Sequence, residues 1–279
     1  MIELARAEDL LDIRTATFDA EATWVDIARV HDQRFVEAVR HGRPTELAQS
    51  QGFRWSPEFA DALVRIWNGQ YAAAKLALES KGIIFHPVSG AHHAGFSRGS
   101  AFCTFNFLAG IGLRLMREGS VNNTGIIDLD SHTGNGTFFW VKDEPGLAAF
   151  DISGGDWLGG AEHPYWSEYY VARNAVRYTE WLGRLPAWLD RNKPEIVFYQ
   201  AGMDCWEHDR VGGIDGVTEK LLGVRDRFVL MHLTQREIPV VINLGGGYEE
   251  RSPVLHVETA RIAAGLLRGG AGVGHAACV

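Results

Sequence analysis

The chain has 279 residues, of which 46% are hydrophobic and 22% charged, a composition typical of a globular protein with a sizeable core. Its 35 acidic residues outnumber its 27 basic ones, and the formal charge of −8 argues against binding to nucleic acid phosphates. Three scattered cysteines are too few for a disulfide framework. Residues 1–11 lack a signal-peptide pattern, and no apolar run is long enough to cross a membrane. We therefore expect a cytoplasmic protein that binds neither nucleic acid nor membrane.

The first 80 residues are predicted to be mainly helical. Apolar residues recur at helical spacing over 22–41, which predicts one surface helix. We interpret His31 on this helix as a packing residue rather than a ligand. Ser56 followed by Pro57 is typical of a helix start, so a second helix is predicted from there to residue 80.

Two adjacent histidines follow a short strand predicted over 81–87. His92 and His93 lie in a segment of small residues, which favours either a hydrogen-bonded structural pair or two imidazoles turned into one cavity. Phe102 comes next, ahead of a helix predicted to end near residue 116, and it either lines a pocket or joins the core.

The most informative segment is 125–137, whose apolar start predicts a buried strand. Alternate strand residues share a face, so Asp128, Asp130 and His132 are expected to point the same way. The glycines after them end the strand and leave these polar side chains at its carboxyl end. Carboxylates and an imidazole are ligands of open zinc or iron sites, although a hydrogen-bonded strand end would need the same residues.

Strands and helices alternate in the rest of the chain. We predict a strand over 146–152, a loop over 158–165 and a long helix over 166–189 that is interrupted near Pro186. A strand over 195–200 then leads to Asp204.

The last third repeats the pattern. Thr218 is predicted to cap a helix that ends near residue 236, and a strand over 239–244 leads through three glycines to Tyr248. A final helix is predicted to end near residue 267, followed by a loose tail over 269–279.

This alternation predicts a single α/β domain over 1–279, with a mainly parallel sheet flanked by helices on both faces. Such sheets bind ligands at the carboxyl ends of their strands. Four predicted strand ends carry polar groups to that rim, namely His92 with His93, Asp130 with His132, Asp204, and Tyr248. Their convergence favours a metal-assisted hydrolase.

These residues resemble the histone deacetylase superfamily, which includes bacterial acetylpolyamine amidohydrolases and acetoin-utilisation proteins. The segments that carry the resemblance occur in the order found in that family, and they are 90–94, 102–106, 127–137, 200–204 and 245–248.

The resemblance implies the arginase-deacetylase fold and one zinc ion bound by Asp130, His132 and Asp204. Such an ion leaves a position for water and makes that water acidic enough to attack near neutral pH. Phe102 would line the acyl tunnel. A structural potassium ion near Ser153 is also implied, and whether iron replaces zinc is left open.

The resemblance also assigns roles around the metal. His93 would act as general base and then as general acid, with His92 as its electrostatic partner and Asp128 bonded behind His92. Asn135 would stand behind His93, and a neutral partner makes that histidine harder to protonate. Tyr248 would donate its hydroxyl to the developing oxyanion.

The chain departs from the family pattern at several positions. Thr133 stands where most members have a second histidine, and Val211 aligns with the glutamate that gates the pocket of polyamine-specific members. A polyamine substrate is therefore not favoured. The opening strand with its His-Pro and arginine signature is missing, so residues 1–80 are a poorly matched part, and a homo-oligomer that completes the pocket is left open.

We therefore expect a zinc-dependent amidohydrolase, a deacetylase that removes a short acyl group from a small N-acylated amine or from acetyl-lysine. One alternative is an arginase-like ureohydrolase with two manganese ions, but Trp206 stands where that pattern has another aspartate. The other alternative is a non-catalytic binding module derived from a deacetylase, which would be expected to have lost a ligand or the tyrosine.

Overall fold

The computed structural model of the chain describes residues 1–156, 158, 164, 166–269 and 276–278. Its strands form one eight-stranded sheet in the order β1-β8-β2-β7-β6-β3-β4-β5. All neighbouring strands in this sheet are parallel. The strands are β1 (Asp12–Ile13), β2 (Ile83–His86), β3 (Thr124–Asp128), β4 (Leu147–Ser153), β5 (Glu168–Val171), β6 (Ile196–Gln200), β7 (Val240–Asn243) and β8 (Ala276–Cys278). The predicted α/β class with a parallel sheet is confirmed.

Helices cover both faces of the sheet. They are α1 (Ile2–Ala7), α2 (Ala20–Ala28), α3 (Gln33–His41), α4 (Thr45–Ala48), α5 (Pro57–Ser80), α6 (Phe107–Arg117), α7 (Asn135–Val141), α8 (Ala175–Leu182), α9 (Leu185–Asn192), α10 (Glu219–Gln235) and α11 (Ser252–Gly269). The predicted start of α5 is confirmed, because the Ser56 hydroxyl accepts a hydrogen bond from the Phe59 amide at 3.2 Å. Among the described residues, none of these helices is both long and apolar enough to cross a membrane.

Two apolar layers arise from the alternation of side chains along the central strands. Ile126 of β3 and Phe198 of β6 pack into the layer that contains α2, α3, α5, α6 and α7. Their neighbours Ile127 and Tyr199 pack into the opposite layer, with α8 to α11. Because both faces of these strands are buried, the strands are continuous apolar runs rather than alternating ones.

The prediction of one continuous helix over 22–41 is wrong. The chain forms α2 and α3 instead, separated at residues 29–32. The carboxylate of Asp32 accepts hydrogen bonds from the amides of Arg34 and Phe35, at 2.9 and 3.3 Å, and so starts a new helix.

The helix predicted over 166–189 is also wrong. Its beginning forms the edge strand β5, which pairs with β4, and the remainder forms α8 and α9. Residues 168–171 include two tyrosines and a valine, which favour a strand once a partner strand is available. Pro186 lies in the first turn of α9, where the missing amide hydrogen is tolerated. Most of the loop predicted over 158–165 lies outside the described residues.

The loose tail predicted over 269–279 is corrected at two points. Helix α11 includes Gly269, and residues 276–278 form β8 between β1 and β2. Pairing on both sides satisfies the backbone groups of this short strand, which a sequence window of three residues does not indicate. Residues 270–275 and 279 lie outside the described part of the chain.

Candidate active site

Four neighbouring strands carry the predicted site residues. In the sheet, β2, β7, β6 and β3 lie side by side, and their last residues His86, Asn243, Gln200 and Asp128 are in register. The loops that follow therefore begin at the same level of the sheet. This register brings the segments that contain the tandem histidines, Asp130, Asp204 and Tyr248 to one rim.

The candidate metal cluster consists of Asp130, His132 and Asp204, each of which offers a possible ligand atom within 4.8 Å of the other two. The Nδ1 atom of His132 lies 2.8 Å from Oδ2 of Asp204 and 3.2 Å from Oδ1 of Asp130. Both aspartates are buried. One imidazole nitrogen and two carboxylate oxygens thus converge on one point.

The expected shared face explains this convergence only in part. Strand β3 ends at Asp128, so Asp130 and His132 lie beyond it in an irregular segment. The carboxylate of Asp128 accepts a hydrogen bond from the Asp130 amide at 3.2 Å, and Asp130 in turn accepts one from the His132 amide at 2.9 Å. These local hydrogen bonds, rather than strand geometry, orient the two predicted ligands.

Glycines allow the surrounding loops to approach the carboxylates closely. A Cβ atom on Gly202 would lie 2.7 Å from Oδ2 of Asp130, so no larger residue fits there. The amide of Gly246 donates to the same oxygen at 2.6 Å, and its carbonyl accepts from the Met203 amide at 2.7 Å. The loop before Tyr248 is therefore tied directly to the ligand-bearing segments.

The electrostatics of the cluster suit a cation. Hydrogen bonds to Asp130 and Asp204 raise the pKa of His132 to about 10. Burial, and then the charge of Asp130, raises the pKa of Asp204 to about 7. Positive charge is thus favoured at the point where these groups meet, and the donor set of one nitrogen and two oxygens fits a zinc ion with further positions open.

The tandem histidines lie in one cavity, with ring centroids 4.0 Å apart. His92 contacts Asp128 through Nδ1 and Oδ2 at 2.7 Å, and His93 contacts Asn135 through Nδ1 and Oδ1 at 2.8 Å. The Asn135 oxygen also accepts from the Gly136 amide at 3.0 Å. Because an amide oxygen can only accept, Nδ1 of His93 donates the hydrogen bond to Asn135, which leaves its Nε2 atom with a free lone pair. An ionised Asp128 would hold the Nδ1 proton of His92 in the same way.

Burial makes both histidines hard to protonate. It lowers the pKa of His92, and together with the charge of His92 it lowers the pKa of His93 to about 4. His93 is thus neutral near pH 7 and can accept a proton.

A cavity of about 460 Å³ opens in front of these groups. His93, Phe102 and Tyr248 line it, and Phe53 forms part of its mouth. Burial, and then the charges of Asp130 and Asp204, raises the pKa of Tyr248 to about 12, so its hydroxyl remains a donor near pH 7. The ring of Tyr248 stands 6.3 Å from that of His132, between centroids.

Phe102 lies at the cavity wall and not in the core, with 64% of its surface exposed. It occupies the second central position of a two-residue turn, where both Ala101 and Phe102 have positive φ angles of 43° and 64°. Its amide donates to the carbonyl of Gln51 at 2.8 Å, which links this turn to the loop that contains Phe53.

The departure at Thr133 creates a hydroxyl cluster. The Oγ1 atom of Thr133 lies 2.9 Å from the Oγ atom of Ser153, 3.1 Å from the Gly155 carbonyl oxygen and 3.2 Å from the hydroxyl oxygen of Tyr169. The Ser153 hydroxyl is therefore hydrogen-bonded to protein groups. The potassium ion implied near it stays a prediction.

Three buried or cavity residues were missed by the sequence analysis. The guanidinium of Arg225 is fully buried and donates to the carbonyls of Leu129 and Gly202, at 3.3 and 2.6 Å. These two hydrogen bonds connect the segments that carry the predicted ligands. Phe53 lies in a polar segment that gave no functional signal. Asp209 lies five residues after the predicted ligand Asp204, and one of its hydrogen-bond partners, the amide of Tyr248, is 39 residues away in sequence.

Comparisons with known proteins bear on the family and the fold of the chain. A family model described as the histone deacetylase domain matches residues 1–156, which include residues 1–80, where we found no family motif. An uncharacterized protein of Picosynechococcus sp. is 30% identical over 239 residues, which cover 82% of this chain and 76% of that protein.

Two further relatives have descriptive names. Histone deacetylase 2 of Arabidopsis thaliana is 27% identical over 274 residues, covering 88% of this chain and 66% of that protein. A probable deacetylase of Methanothermobacter thermautotrophicus is 27% identical over 176 residues, which cover 57% of this chain and 51% of that protein. The chain thus spans about two thirds and about half of the lengths of these two relatives.

A solved structure shares the fold. The crystal structure of acetylpolyamine aminohydrolase from Burkholderia pseudomallei superposes with a TM-score of 0.75 at 18% identity, covering 95% of this chain and 89% of that one. The predicted arginase-deacetylase fold is therefore confirmed. The chain belongs to the histone deacetylase family, and it is by that membership a hydrolase that acts on amide bonds.

Proposed function

We propose that this protein is a single-zinc amidohydrolase that removes a short acyl group, with acetyl as the first candidate, from an amine. The observation that carries the proposal is the convergence of Asp130, His132 and Asp204 within 4.8 Å, because Asp130 also lines the cavity that contains the tandem histidines. When bound there, the ion would polarise the acyl carbonyl and lower the pKa of a water molecule.

The remaining chemistry falls to the side chains of this chain. The free Nε2 of His93 would accept a proton from the attacking water and return it to the nitrogen of the leaving amine. The contact of 2.7 Å with Asp128 would hold the neighbouring His92 in a fixed tautomer. The hydroxyl of Tyr248 would donate a hydrogen bond to the carbonyl oxygen as negative charge develops there.

The substrate is proposed to be a small N-acylated amine or an acetyl-lysine side chain. The cavity volume of about 460 Å³ exceeds what an acetyl group fills, so part of the amine would lie inside the cavity as well. Val211 is 51% exposed and brings no charge to the position aligned with the gating glutamate of polyamine-specific members. This supports an uncharged group next to the amide over a polyamine.

The ureohydrolase alternative needs a second cluster of carboxylates. Within the described residues, one group of three possible metal-binding side chains is found, and Trp206 stands two residues after Asp204, where another carboxylate would be needed. A non-catalytic module is disfavoured because the proposed ligands and Tyr248 are all retained.

The experiment is a metal analysis of the purified protein, followed by assays on acetylated peptides, acetylated polyamines and small acetamides. We expect one zinc ion per chain and release of acetate from at least one class of amide. Two metal ions per chain, or activity restored by manganese alone, would favour the ureohydrolase alternative. A zinc-loaded protein that cleaves none of these amides would favour the binding module.

A further inference from the structure

Asp209 links the loop that carries Tyr248 to the segment that carries Asp204. Its side chain is buried, with 6% of its surface exposed. Oδ2 accepts a hydrogen bond from the amide of Tyr248 at 2.8 Å. Oδ1 accepts hydrogen bonds from the amides of Val211 and Gly212, at 2.9 and 3.1 Å. One carboxylate thus receives three backbone amides from two loops.

The segment held by Oδ1 is itself tied to the metal cluster. The carbonyl of Gly212 accepts a hydrogen bond from the hydroxyl of Ser131, which lies between the predicted ligands Asp130 and His132. The amide of Ser131 donates to Oδ1 of Asp204 at 2.9 Å. Asp209 therefore connects Tyr248 to a framework fixed by the proposed ligands.

Asp209 holds this loop at the amide of Tyr248 itself, whereas the hydrogen bonds made by Gly246 lie two residues earlier. The side chain of Tyr248 is 41% exposed, and it follows three consecutive glycines, whose backbone is the least restricted of any residue type. An oxyanion donor acts only if it is held at the position where charge develops. The geometry points to Asp209 as the positioning residue that holds Tyr248 in place, an inference that rests on the proposed function.

The chemistry of the side chain provides an isosteric test. An ionised carboxylate can accept hydrogen bonds at both oxygens, whereas an asparagine amide accepts at one atom and donates at the other. In Asp209→Asn, either the Tyr248 amide or the amides of Val211 and Gly212 would face an NH₂ group. Two donors would then face each other without a proton acceptor.

The experiment combines kinetics with a double-mutant cycle. In the zinc-loaded enzyme we expect Asp209→Asn to lower kcat by roughly tenfold to a hundredfold. This loss should not exceed the loss caused by Tyr248→Phe, which removes the donor itself. KM and the zinc content should be unchanged. In a Tyr248→Phe background the same substitution is expected to have little further effect. Asp215→Asn is the matched control, because Asp215 is an exposed aspartate of the same loop.

Several results would overturn the inference. These are an unchanged kcat in Asp209→Asn, an equal loss in the Tyr248→Phe background, or a fall in zinc content. If Asp209→Asn does not fold, Asp209→Ala gives the same cycle without the facing donors. Hydrogen exchange of the Tyr248 amide gives a readout that needs no activity, and it should accelerate in the variant but not in Asp215→Asn. Absence of any amide hydrolysis by the wild type would instead count against the proposed function. Unchanged hydrogen exchange of the Tyr248 amide in Asp209→Asn would count against Asp209 as the positioning residue.

Discussion

The Nδ1 atom of His93 lies 2.8 Å from the Oδ1 atom of Asn135, whereas the equivalent atom of His92 lies 2.7 Å from a carboxylate oxygen of Asp128. The proposed general base is therefore backed by a neutral amide, and its neighbour by a carboxylate. Burial, and then the charge of His92, lowers the pKa of His93 to about 4 although the hydrogen bond to Asn135 acts in the opposite direction, so His93 is neutral near pH 7.

Asn135→Asp should accordingly make His93 easier to protonate. A carboxylate at this distance favours the imidazolium, so we expect the acid limb of the profile of kcat/KM against pH to move upward by roughly one to two pH units. The measurement is a pH profile with one substrate for both proteins. An acid limb that does not move would show that another group accepts the proton.

Asp204→Ala should abolish zinc retention, because it removes one of the proposed ligands and leaves two. Glu207→Ala is the control, since Glu207 is a nearby carboxylate outside the cluster, and it should retain one zinc ion per chain. The zinc content of both purified proteins checks this. Full zinc occupancy in Asp204→Ala would contradict the ligand assignment.

Tyr248→Phe should keep its zinc and lose activity. Removing one oxyanion donor lowers kcat by about 10²–10³-fold, and this change leaves the aromatic ring in place. Steady-state kinetics and a metal analysis on the same sample separate the two properties. Unaltered turnover would remove Tyr248 from the proposed mechanism.

Phe53→Ala should weaken substrate binding more than it slows the chemical step. The Phe53 ring is 44% exposed at the cavity mouth and lies 5.1 Å from the Phe102 ring, between centroids. Loss of about 1 kcal/mol of apolar contact would raise KM roughly fivefold at a similar kcat. Phe139→Ala, at a similarly exposed phenylalanine outside the cavity, should leave KM unchanged. An equal KM in all three proteins would exclude Phe53 from substrate contact.

His31 should make the fold sensitive to acid. It lies among the rings of Phe105 and Trp140, at centroid distances of 5.0 and 5.1 Å, and burial lowers its pKa to about 4. Since the unfolded chain binds a proton near pH 6.5 and the folded chain does not, stability is lost as the pH falls from 6.5 towards 4. This one group would lower the free energy of unfolding by about 2 kcal/mol between pH 7.5 and pH 5.

Urea unfolding of the wild type and of His31→Phe at both pH values measures this contribution. We expect a smaller loss of stability on acidification in the variant, because phenylalanine suits the aromatic surroundings and has no proton to bind. His41→Gln, a substitution at an exposed histidine, should retain the wild-type loss. Equal losses in His31→Phe and the wild type would show that His31 is already accessible to protons.

Much of the candidate site follows from the sequence alone. Apolar runs that end in glycines and polar residues determined the core strands β2, β3, β6 and β7, and parallel strands necessarily bring their carboxyl ends to one rim. The residues at two of those ends, together with the family resemblance, were therefore enough to predict one metal cluster of Asp130, His132 and Asp204. His31 was correctly interpreted as a packing residue, although it lies between α2 and α3 and not on a helix, because it is buried against aromatic rings.

The tertiary structure decided what depends on partners far apart in the chain. Strands β5 and β8 exist because neighbouring strands satisfy their backbone groups, and no short window of sequence contains that information. Phe53 reaches the cavity only because its loop pairs with the turn at Phe102. Asp209 meets the amide of Tyr248 across 39 residues. Local periodicity reports which face of an element is buried, whereas the contact between two loops depends on how the whole sheet brings them together.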